Sequence, residues 1–126
     1  MIQKNLMILA LFFLSILNSC SKEDGPSTPP NTAPVMEARV FNVSTNISDT
    51  YVIGTITATD ADKDDLLLFY LDKNSYDLFE ITRQGELSLA PGKKLVSGKY
   101  SPHDLKVIVH DGSIGVNADV TINVTE

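Results

Sequence analysis

The sequence contains a single cysteine, Cys20, and no tryptophan. One cysteine cannot form an internal disulfide, so the fold depends on the packing of apolar side chains. Basic residues are also few, since ten Lys and Arg stand against sixteen Asp and Glu. This balance argues against a nucleic-acid ligand, because binding to phosphates requires clustered Lys and Arg. It is compatible with a solvated surface domain or with a protein that binds cations.

Long apolar runs are almost absent, and the one that is present lies at the N-terminus. It extends over the twelve residues Leu6–Leu17 and is broken only by Ser15. Twelve residues are too few to span a bilayer comfortably. Lys4 precedes the run, and the whole pattern is typical of a secretory signal peptide that is removed on maturation. We predict this peptide over residues 1–19; without Lys4, nine basic and sixteen acidic residues leave a formal net charge of −7.

The residues around the predicted cleavage point suggest a membrane anchor. Leu17-Asn18-Ser19-Cys20 resembles the lipobox of bacterial lipoproteins, which implies that Cys20 becomes the lipidated N-terminus. Ser21-Lys22-Glu23-Asp24 resembles the acidic export signals of Bacteroidetes surface lipoproteins and implies display on the outer face of the outer membrane. The alternatives are a lipoprotein that faces the periplasm and an ordinary secreted protein with a cysteine near its cleavage point.

A second composition change separates the lipidated end from the folded domain. The segment after Cys20 is rich in Pro, Ser and Thr and has almost nothing to bury. Such segments remain extended and semi-rigid. We therefore predict a tether over residues 20–33 and one domain over residues 34–126.

Short alternating runs with turn residues between them fill this domain and predict an all-β sandwich. No mature segment of ten or more residues shows helical periodicity. Gln84-Gly85 predicts a tight hairpin, and Asp111-Gly112-Ser113 predicts another. The seven predicted strands, in chain order, are Val35–Val43, Tyr51–Ala58, Leu66–Leu71, Leu78–Thr82, Glu86–Ala90, His103–His110 and Asn117–Val124.

The alternation also predicts which side chains form the core. Seventeen apolar residues share the inward parity, enough for one sandwich core of modest stability. They are Val52, Ile56, Ala58, Leu67, Phe69, Leu71, Phe79, Ile81, Leu87, Leu89, Leu105, Val107, Val109, Ala118, Val120, Ile122 and Val124.

Two of the predicted strands end in acidic residues. The core-facing parity of the second strand continues into Asp60 and Asp62, and the sixth strand leads directly into Asp111. Both strands run in the same direction in a sandwich whose strands alternate, so their ends meet at one pole. The chain enters the domain from Asn31 at that same pole. We therefore expect the three aspartates to converge and the chain from Asn31 to pass beside them.

Converging carboxylates are costly unless a cation compensates them, and calcium is the hard cation that such oxygens favour. Asp64 and Asp65, in the loop that follows Asp62, could complete a shell of six or more oxygens. An EF-hand is excluded because Asp65 and Leu71 occupy the positions that require Gly and Glu. The alternative interpretation is that the strands have already left the core and the acids are solvated loop residues.

Four segments together resemble the cadherin repeat over residues 31–125. Asn31-Thr32-Ala33-Pro34-Val35 is similar to the opening of bacterial cadherin-type repeats, and Gly54–Asp62 is similar to their second strand. Phe79-Glu80-Ile81 followed by Gly85-Glu86-Leu87 resembles the family's central hairpin. Leu105–Gly112 resembles its sixth strand. The resemblance implies a seven-stranded Greek-key sandwich of the immunoglobulin-like, cadherin-like type.

The same resemblance implies calcium at the pole, with Asp60, Asp62 and Asp111 as ligands and Asn31 as a further one. Three parts of the family pattern are missing. Thr45 stands where an acidic residue is expected, residues 95–98 replace the Leu-Asp-Arg-Glu motif, and no acidic linker closes the repeat. The expectation is therefore at most one weakly bound ion.

These observations predict a non-enzymatic, calcium-binding, lipid-anchored surface module for cell adhesion or protein interaction. No Gly-x-Ser-x-Gly, His-Glu-x-x-His or phosphate-binding glycine loop is present. His103 is predicted to be a packed or rim residue, and His110 has outward parity. Two alternatives remain open: an accessory glycan-binding lipoprotein of a polysaccharide uptake system, and a structural spacer without bound metal.

Overall fold

The computed structural model describes residues 25–98 and 101–126. The predicted signal peptide and Cys20 lie outside the described residues. Within the described ranges, no helix is both long and apolar enough to cross a membrane. Residues 25–32 are exposed and carry no regular secondary structure. The first strand begins at Val35.

The described residues form nine strand segments and one helical turn, with the following bounds. The segments are β1 Val35–Met36, β2 Arg39–Ser44, β3 Gly54–Thr55, β4 Ala58–Thr59, β5 Leu68–Lys73, β6 Phe79–Ile81, β7 Glu86–Leu89, β8 His103–His110 and β9 Gly115–Thr125, with a 3₁₀ turn at Ser75–Asp77 between β5 and β6.

Two sheets face each other across the core. The larger has the strand order β2-β9-β8-β5, and the smaller has the order β3-β7-β6. A separate two-stranded pairing joins β1 and β4. Neighbouring strands are antiparallel except for β2 and β9, which are parallel. The predicted all-β sandwich is confirmed.

Two predicted strands are interrupted because each exchanges its neighbour partway along. The first predicted strand pairs with β4 at Val35 and Met36. It then crosses to the larger sheet and pairs with β9 from Arg39 onward. The second pairs with β7 at Gly54 and with β1 at Ala58. Seven predicted strands therefore become nine segments. The sixth predicted strand, His103–His110, matches β8 to the residue.

Both predicted hairpins form around glycines whose backbone is in the left-handed region. Gly85 has a φ of 94°, and its N–H donates to the Thr82 carbonyl at 2.9 Å, which closes the turn between β6 and β7. Gly112 has a φ of 104°, and the Asp111 N–H donates to the Ile114 carbonyl at 3.2 Å in the turn between β8 and β9. Only glycine adopts such values at little cost.

The core lies between the two sheets and largely follows the predicted parity. Eleven of the predicted residues are buried, namely Ile56, Phe69, Phe79, Leu87, Leu89, Leu105, Val107, Val109, Ala118, Val120 and Ile122. Five more are partly buried and pack against the core, namely Ala58, Leu67, Leu71, Ile81 and Val124. Val43 and Leu95 are buried as well, although the alternation did not predict them.

The prediction for Val52 is wrong, since its side chain is 47% exposed. The chain turns just before this residue, where the Tyr51 N–H donates to the Ser48 carbonyl at 3.1 Å. Val52 therefore precedes the first strand pairing, and Ile53 packs against the core instead. The inward parity holds from Gly54 onward, where a Cβ atom would overlap the ring of Phe41.

His103 begins β8 as a packed residue with only 2% of its surface exposed. Its ring meets the ring of Phe79 edge-on, with centroids 5.4 Å apart. Its Nδ1 is buried and has no hydrogen-bond partner. Burial lowers the pKa of His103 below its ordinary value of 6.5, although the charge of Asp104 opposes this shift. The fold therefore favours the neutral imidazole.

We predict that the protein loses stability as the pH falls below 6.5 because of His103. The unfolded chain takes up the proton first, so stability is full above this pH and decreases until the lower native pKa is reached. For this one group, the free energy of unfolding decreases by at most about 1.4 kcal/mol per pH unit. Urea unfolding at about pH 7.5 and about pH 5.5 measures it. The decrease should be smaller in His103→Phe and retained in His110→Gln; an equal decrease in all three proteins contradicts the assignment.

Candidate metal centre

The strand directions bring the predicted acidic residues to one end of the sandwich. The segment β4 is antiparallel to β1, while β8 is antiparallel to β9 and therefore also to β2. The second and sixth predicted strands thus run the same way and end at the same pole. Asp60 directly follows β4, and Asp111 directly follows β8. The chain from Asn31 enters between them. We call Asp60, Asp62, Asp65 and Asp111 the acidic pole.

Three of these carboxylates form a close group. Asp60, Asp62 and Asp65 each offer one oxygen, and these oxygens all lie within 4.8 Å of one another. A local turn produces the arrangement, because the Asp62 N–H donates to Asp60 Oδ1 at 2.8 Å and the Asp65 N–H donates to the Asp62 carbonyl at 3.1 Å. Each of the three side chains is partly buried.

Two oxygens in this group have no hydrogen-bond partner. Asp60 Oδ2 and Asp65 Oδ2 are both buried from solvent and unpaired. Within the described residues, no Lys or Arg forms an ion pair with any aspartate of the acidic pole. Buried carboxylate oxygens without a donor are costly, and a cation is the direct way to compensate them.

Asp111 has a different environment, because hydrogen bonds satisfy both of its oxygens. Its Oδ1 accepts the N–H groups of Ile114 and Ser113, both at 2.7 Å, and its Oδ2 accepts the Asn31 side-chain amide at 2.9 Å. Donation from Ile114, Asn31 and Ser113 lowers the pKa of Asp111 below its ordinary value. The carboxylate therefore remains charged and fixed although only 8% of the residue is exposed.

Asp65 differs from Asp111, because its surroundings disfavour the charged carboxylate. Burial raises the pKa of Asp65, and the charges of Asp111, Asp60, Asp62 and Asp64 raise it further. No donor to this carboxylate offsets the repulsion, since its Oδ2 is unpaired. Asp65 is therefore the carboxylate of the acidic pole whose charged form the surroundings disfavour.

The incoming chain connects the two parts of the site. The Thr32 N–H donates to Asp62 Oδ2 at 2.6 Å, while the neighbouring Asn31 reaches Asp111. The sequence did not indicate the role of Thr32, because a backbone donor leaves no residue-specific signal. The bonds from Ser113 and Ile114 had a signal, since an Asp before Gly-Ser often accepts backbone N–H groups in the turn that follows it.

Of the residues predicted as ligands, the structure places Asp60 and Asp62 in the close group, whereas Asp111 and Asn31 bond to each other outside it. Asp65, which the sequence suggested as an additional ligand, completes the close group of three. Asp64, suggested beside it, is exposed and is not a member of this group. The carboxylates offer an oxygen-rich donor set of the kind that calcium prefers, while Asn31 presents its N–H group to Asp111. The residues present fit such an ion.

A separate surface cleft lies elsewhere on the domain. It has a volume of about 640 Å³ and is lined by residues 45–49 and 92–97, in the loops at the opposite end of the sandwich. Its charged side chains include Lys93 and Lys94, both of which are exposed. The Asp49 carboxylate in this cleft already accepts the Gly92 N–H at 2.7 Å. None of the buried, unpaired polar atoms among the described residues lies in this cleft, so we place the candidate site at the acidic pole.

No protein-family model matches the sequence, and no curated protein matches it. Solved structures do match the fold. Drosophila N-cadherin EC1-4 aligns with 75% of this chain and 25% of its own length, at 22% identity and a TM-score of 0.66. Human protocadherin-24 EC1-2 aligns with 77% of this chain and 45% of its own, at 19% identity and a TM-score of 0.67.

Human mucin-like protocadherin EC1-2 gives a similar result, with 74% of this chain and 53% of its own length aligned at 20% identity and a TM-score of 0.65. The chain therefore spans between a quarter and about half of the length of these neighbours. The likeness shows that the domain has a cadherin-like fold.

We predict that Asp65→Asn stabilises the protein in the presence of a chelator. The substitution removes one negative charge from a repulsive group and supplies an amide N–H that a neighbouring carboxylate accepts. Thermal unfolding in EDTA should show a higher Tm than for the wild type. Asp111→Ala should lower the Tm under the same conditions, because three N–H donors lose their acceptor. A lower Tm for Asp65→Asn contradicts the repulsion argument.

Proposed function

We propose that this protein is a lipid-anchored surface module that binds calcium at the acidic pole and serves in adhesion or protein interaction. The observation that carries the calcium assignment is the pair of buried, unpaired oxygens on Asp60 and Asp65. They lie in one group with Asp62, where a divalent ion would neutralise the accumulated charge. The cadherin-like fold supports the same assignment.

The ligands that we assign are carboxylate oxygens of Asp60, Asp62 and Asp65, with Asp111 and Asn31 at the margin of the site. Turning the Asn31 amide by 180° presents its oxygen instead of its N–H groups. One ion at most is proposed, because the acidic motifs missing from the sequence leave few other donors. Extracellular calcium modules of this kind bind with dissociation constants of ~10⁻⁴–10⁻³ M.

Calcium at this position would also fix the entry of the chain. Asn31 and Thr32 already contact Asp111 and Asp62, so an ion held by the same carboxylates would stiffen the junction between tether and domain. A module for adhesion or protein interaction benefits from such a fixed orientation. The proposal is non-enzymatic, since the acidic pole offers charge and ligand oxygens but no nucleophile beside a base.

The anchor in this proposal is Cys20, through the lipobox-like residues before it. Several acyl chains on one residue give stable membrane attachment, which a single chain does not. The acidic residues after Cys20 favour the outer face of the outer membrane. The Pro-rich segment up to Ala33 would then hold the domain away from the membrane surface.

We expect calcium to stabilise the folded protein. A ligand that binds only the native state adds RT ln(1 + [L]/Kd) to the free energy of unfolding, or about 1.4 kcal/mol at a tenfold excess over Kd. For a domain of this size, that corresponds to a rise in Tm of several degrees. Differential scanning calorimetry with about 10 mM calcium or with EDTA measures this rise.

The variants Asp60→Asn and Asp62→Asn should lose this rise. Asp64→Asn is the matched control, because it removes the same charge from the same loop at a side chain outside the close group. It should retain most of the rise. If calcium leaves the wild-type Tm unchanged, or if all three variants behave alike, the calcium assignment is wrong.

Cys20→Ser tests the anchor independently of the metal. In cells that process lipoproteins, the wild type should fractionate with membranes and incorporate labelled fatty acid. The variant should lose both properties while its domain remains folded, since the described core and the side chains packed against it begin only at Met36. Membrane association and labelling that persist in Cys20→Ser contradict the proposed anchor.

A further inference from the structure

The edge of β2 is the one long strand edge that the described residues leave open. The Thr45 N–H donates to the Thr125 carbonyl at 3.0 Å, which extends the parallel ladder between β2 and β9. In a strand, consecutive residues direct their backbone groups to opposite sides. The backbone N–H and C=O groups of the odd-numbered residues of β2 therefore face β9. The N–H and C=O groups of Val40 and Asn42 face away from it.

These outward groups have no backbone partner among the described residues. The side chains agree with an open edge, because Val40 is 62% exposed and Asn42 is exposed too. The next outward residue, Ser44, uses its carbonyl only for a long bond of 3.5 Å from the Ile47 N–H. A row of free donors and acceptors of this kind is a template for another strand.

Among the described residues, the edges of β6 and β5 are covered or interrupted at particular positions. The Asn74 side chain donates to the Phe79 carbonyl at 2.6 Å and accepts the Phe79 N–H at 3.1 Å, so it takes the place of a strand beside β6. On β5, the Phe69 N–H donates to the Arg83 carbonyl, and the register shifts between Leu71 and Lys73. Bulges, lysines and covering groups are the usual means of blocking an edge.

The edge of β2 lacks these means. It is six residues long, contains no Lys or Pro, and pairs with β9 without a register shift. Its one charged residue, Arg39, lies at its start and donates to Thr57 Oγ1 at 3.4 Å. Among the described residues, the edges of β6 and β5 are thus covered or interrupted in part, whereas the edge of β2 is continuous and available.

We propose that β2 pairs antiparallel with β2 of a second copy of this chain, about a two-fold axis through Asn42. Antiparallel hydrogen bonding is compatible with a two-fold axis, so the contact closes as a dimer. In this register Asn42 lies opposite Asn42, and Val40 lies opposite Ser44. Arg39 lies opposite Thr45, so no like charges meet. The two large sheets would join into one sheet of eight strands.

If the chain is anchored as proposed above, this pairing determines how two anchored copies can meet. That inference rests on the proposed function. Because the two strands are antiparallel, the two acidic poles and the two tethers lie at opposite ends of the dimer. Lipid-anchored copies would therefore meet most readily from two facing membranes. Vesicles that carry the lipidated chain should then cluster, and the soluble domain added in excess should disperse them.

The decisive test is the mass of the soluble chain, residues 20–126 with Cys20→Ser, by sedimentation equilibrium from about 10 µM to about 1 mM. The described core lies between Val43 and Ile122, so this chain contains all of it. We expect a reversible dimer with or without calcium, since the contact uses no residue of the acidic pole. A monomer at every concentration overturns the pairing, whereas a failed calcium titration leaves it standing.

Asn42→Lys should raise the dimer dissociation constant by roughly tenfold or more, because two lysines would face each other across the axis. Asn123→Lys is the matched control. It breaks the same Asn123–Asn42 hydrogen bond of 3.0 Å and adds the same charge one strand inward, where no partner would meet it. This control should still dimerise.

Asn42→Glu should weaken the dimer in the same way, and an equimolar mixture with Asn42→Lys should dimerise as strongly as the wild type or more so. Dimer formation in the mixture requires that residue 42 of one copy lies opposite residue 42 of the other. It does not depend on the stability of either variant alone. If both charged variants dimerise as the wild type does, or if the mixture stays monomeric while the wild type dimerises, the axis through Asn42 is wrong.

Discussion

Repulsion between carboxylates at one end of the sandwich is the constraint on which the proposed chemistry depends. The fold satisfies one of them fully, since Asp111 accepts three N–H groups. It leaves Asp60 and Asp65 each with an unpaired buried oxygen. A domain without a disulfide tolerates this local cost because its apolar core forms separately between the two sheets. The repulsion is confined to the pole, where an ion can reach it.

The acidic pole and the open edge of β2 are independent features of the same sandwich. The pole collects charge where the chain enters, and the edge presents backbone groups along one side. Because the edge carries a single charged residue, Arg39, its pairing does not depend on the ion. A calcium-stiffened junction would set the direction of the domain, and a strand edge would supply the contact. Together they give a physical basis for a module that holds surfaces together.

Regular alternation explains why much of the fold was predictable. β8 agrees with its predicted bounds, and β9 extends the predicted strand only slightly at each end, because both strands alternate between buried and more exposed positions throughout. The prediction was less accurate where a strand changes its neighbour. Val52 is exposed because a turn from Ser48 precedes the strand, and Leu95 is buried from a loop without alternation. Local parity contains no information about such long-range contacts.

The sequence by itself determined that the domain is a β-sandwich, because period-two alternation is a local property, and it predicted Asp60, Asp62 and Asp111 at one pole, because successive strands of a sandwich alternate in direction. Only the tertiary structure decided that Asp65, and not Asp64, joins the close group. It also decided that Thr32 and Asn31 hold Asp62 and Asp111 across separations of 30 and 80 residues. These choices depend on how distant loops pack against each other, and no short segment of sequence encodes that packing.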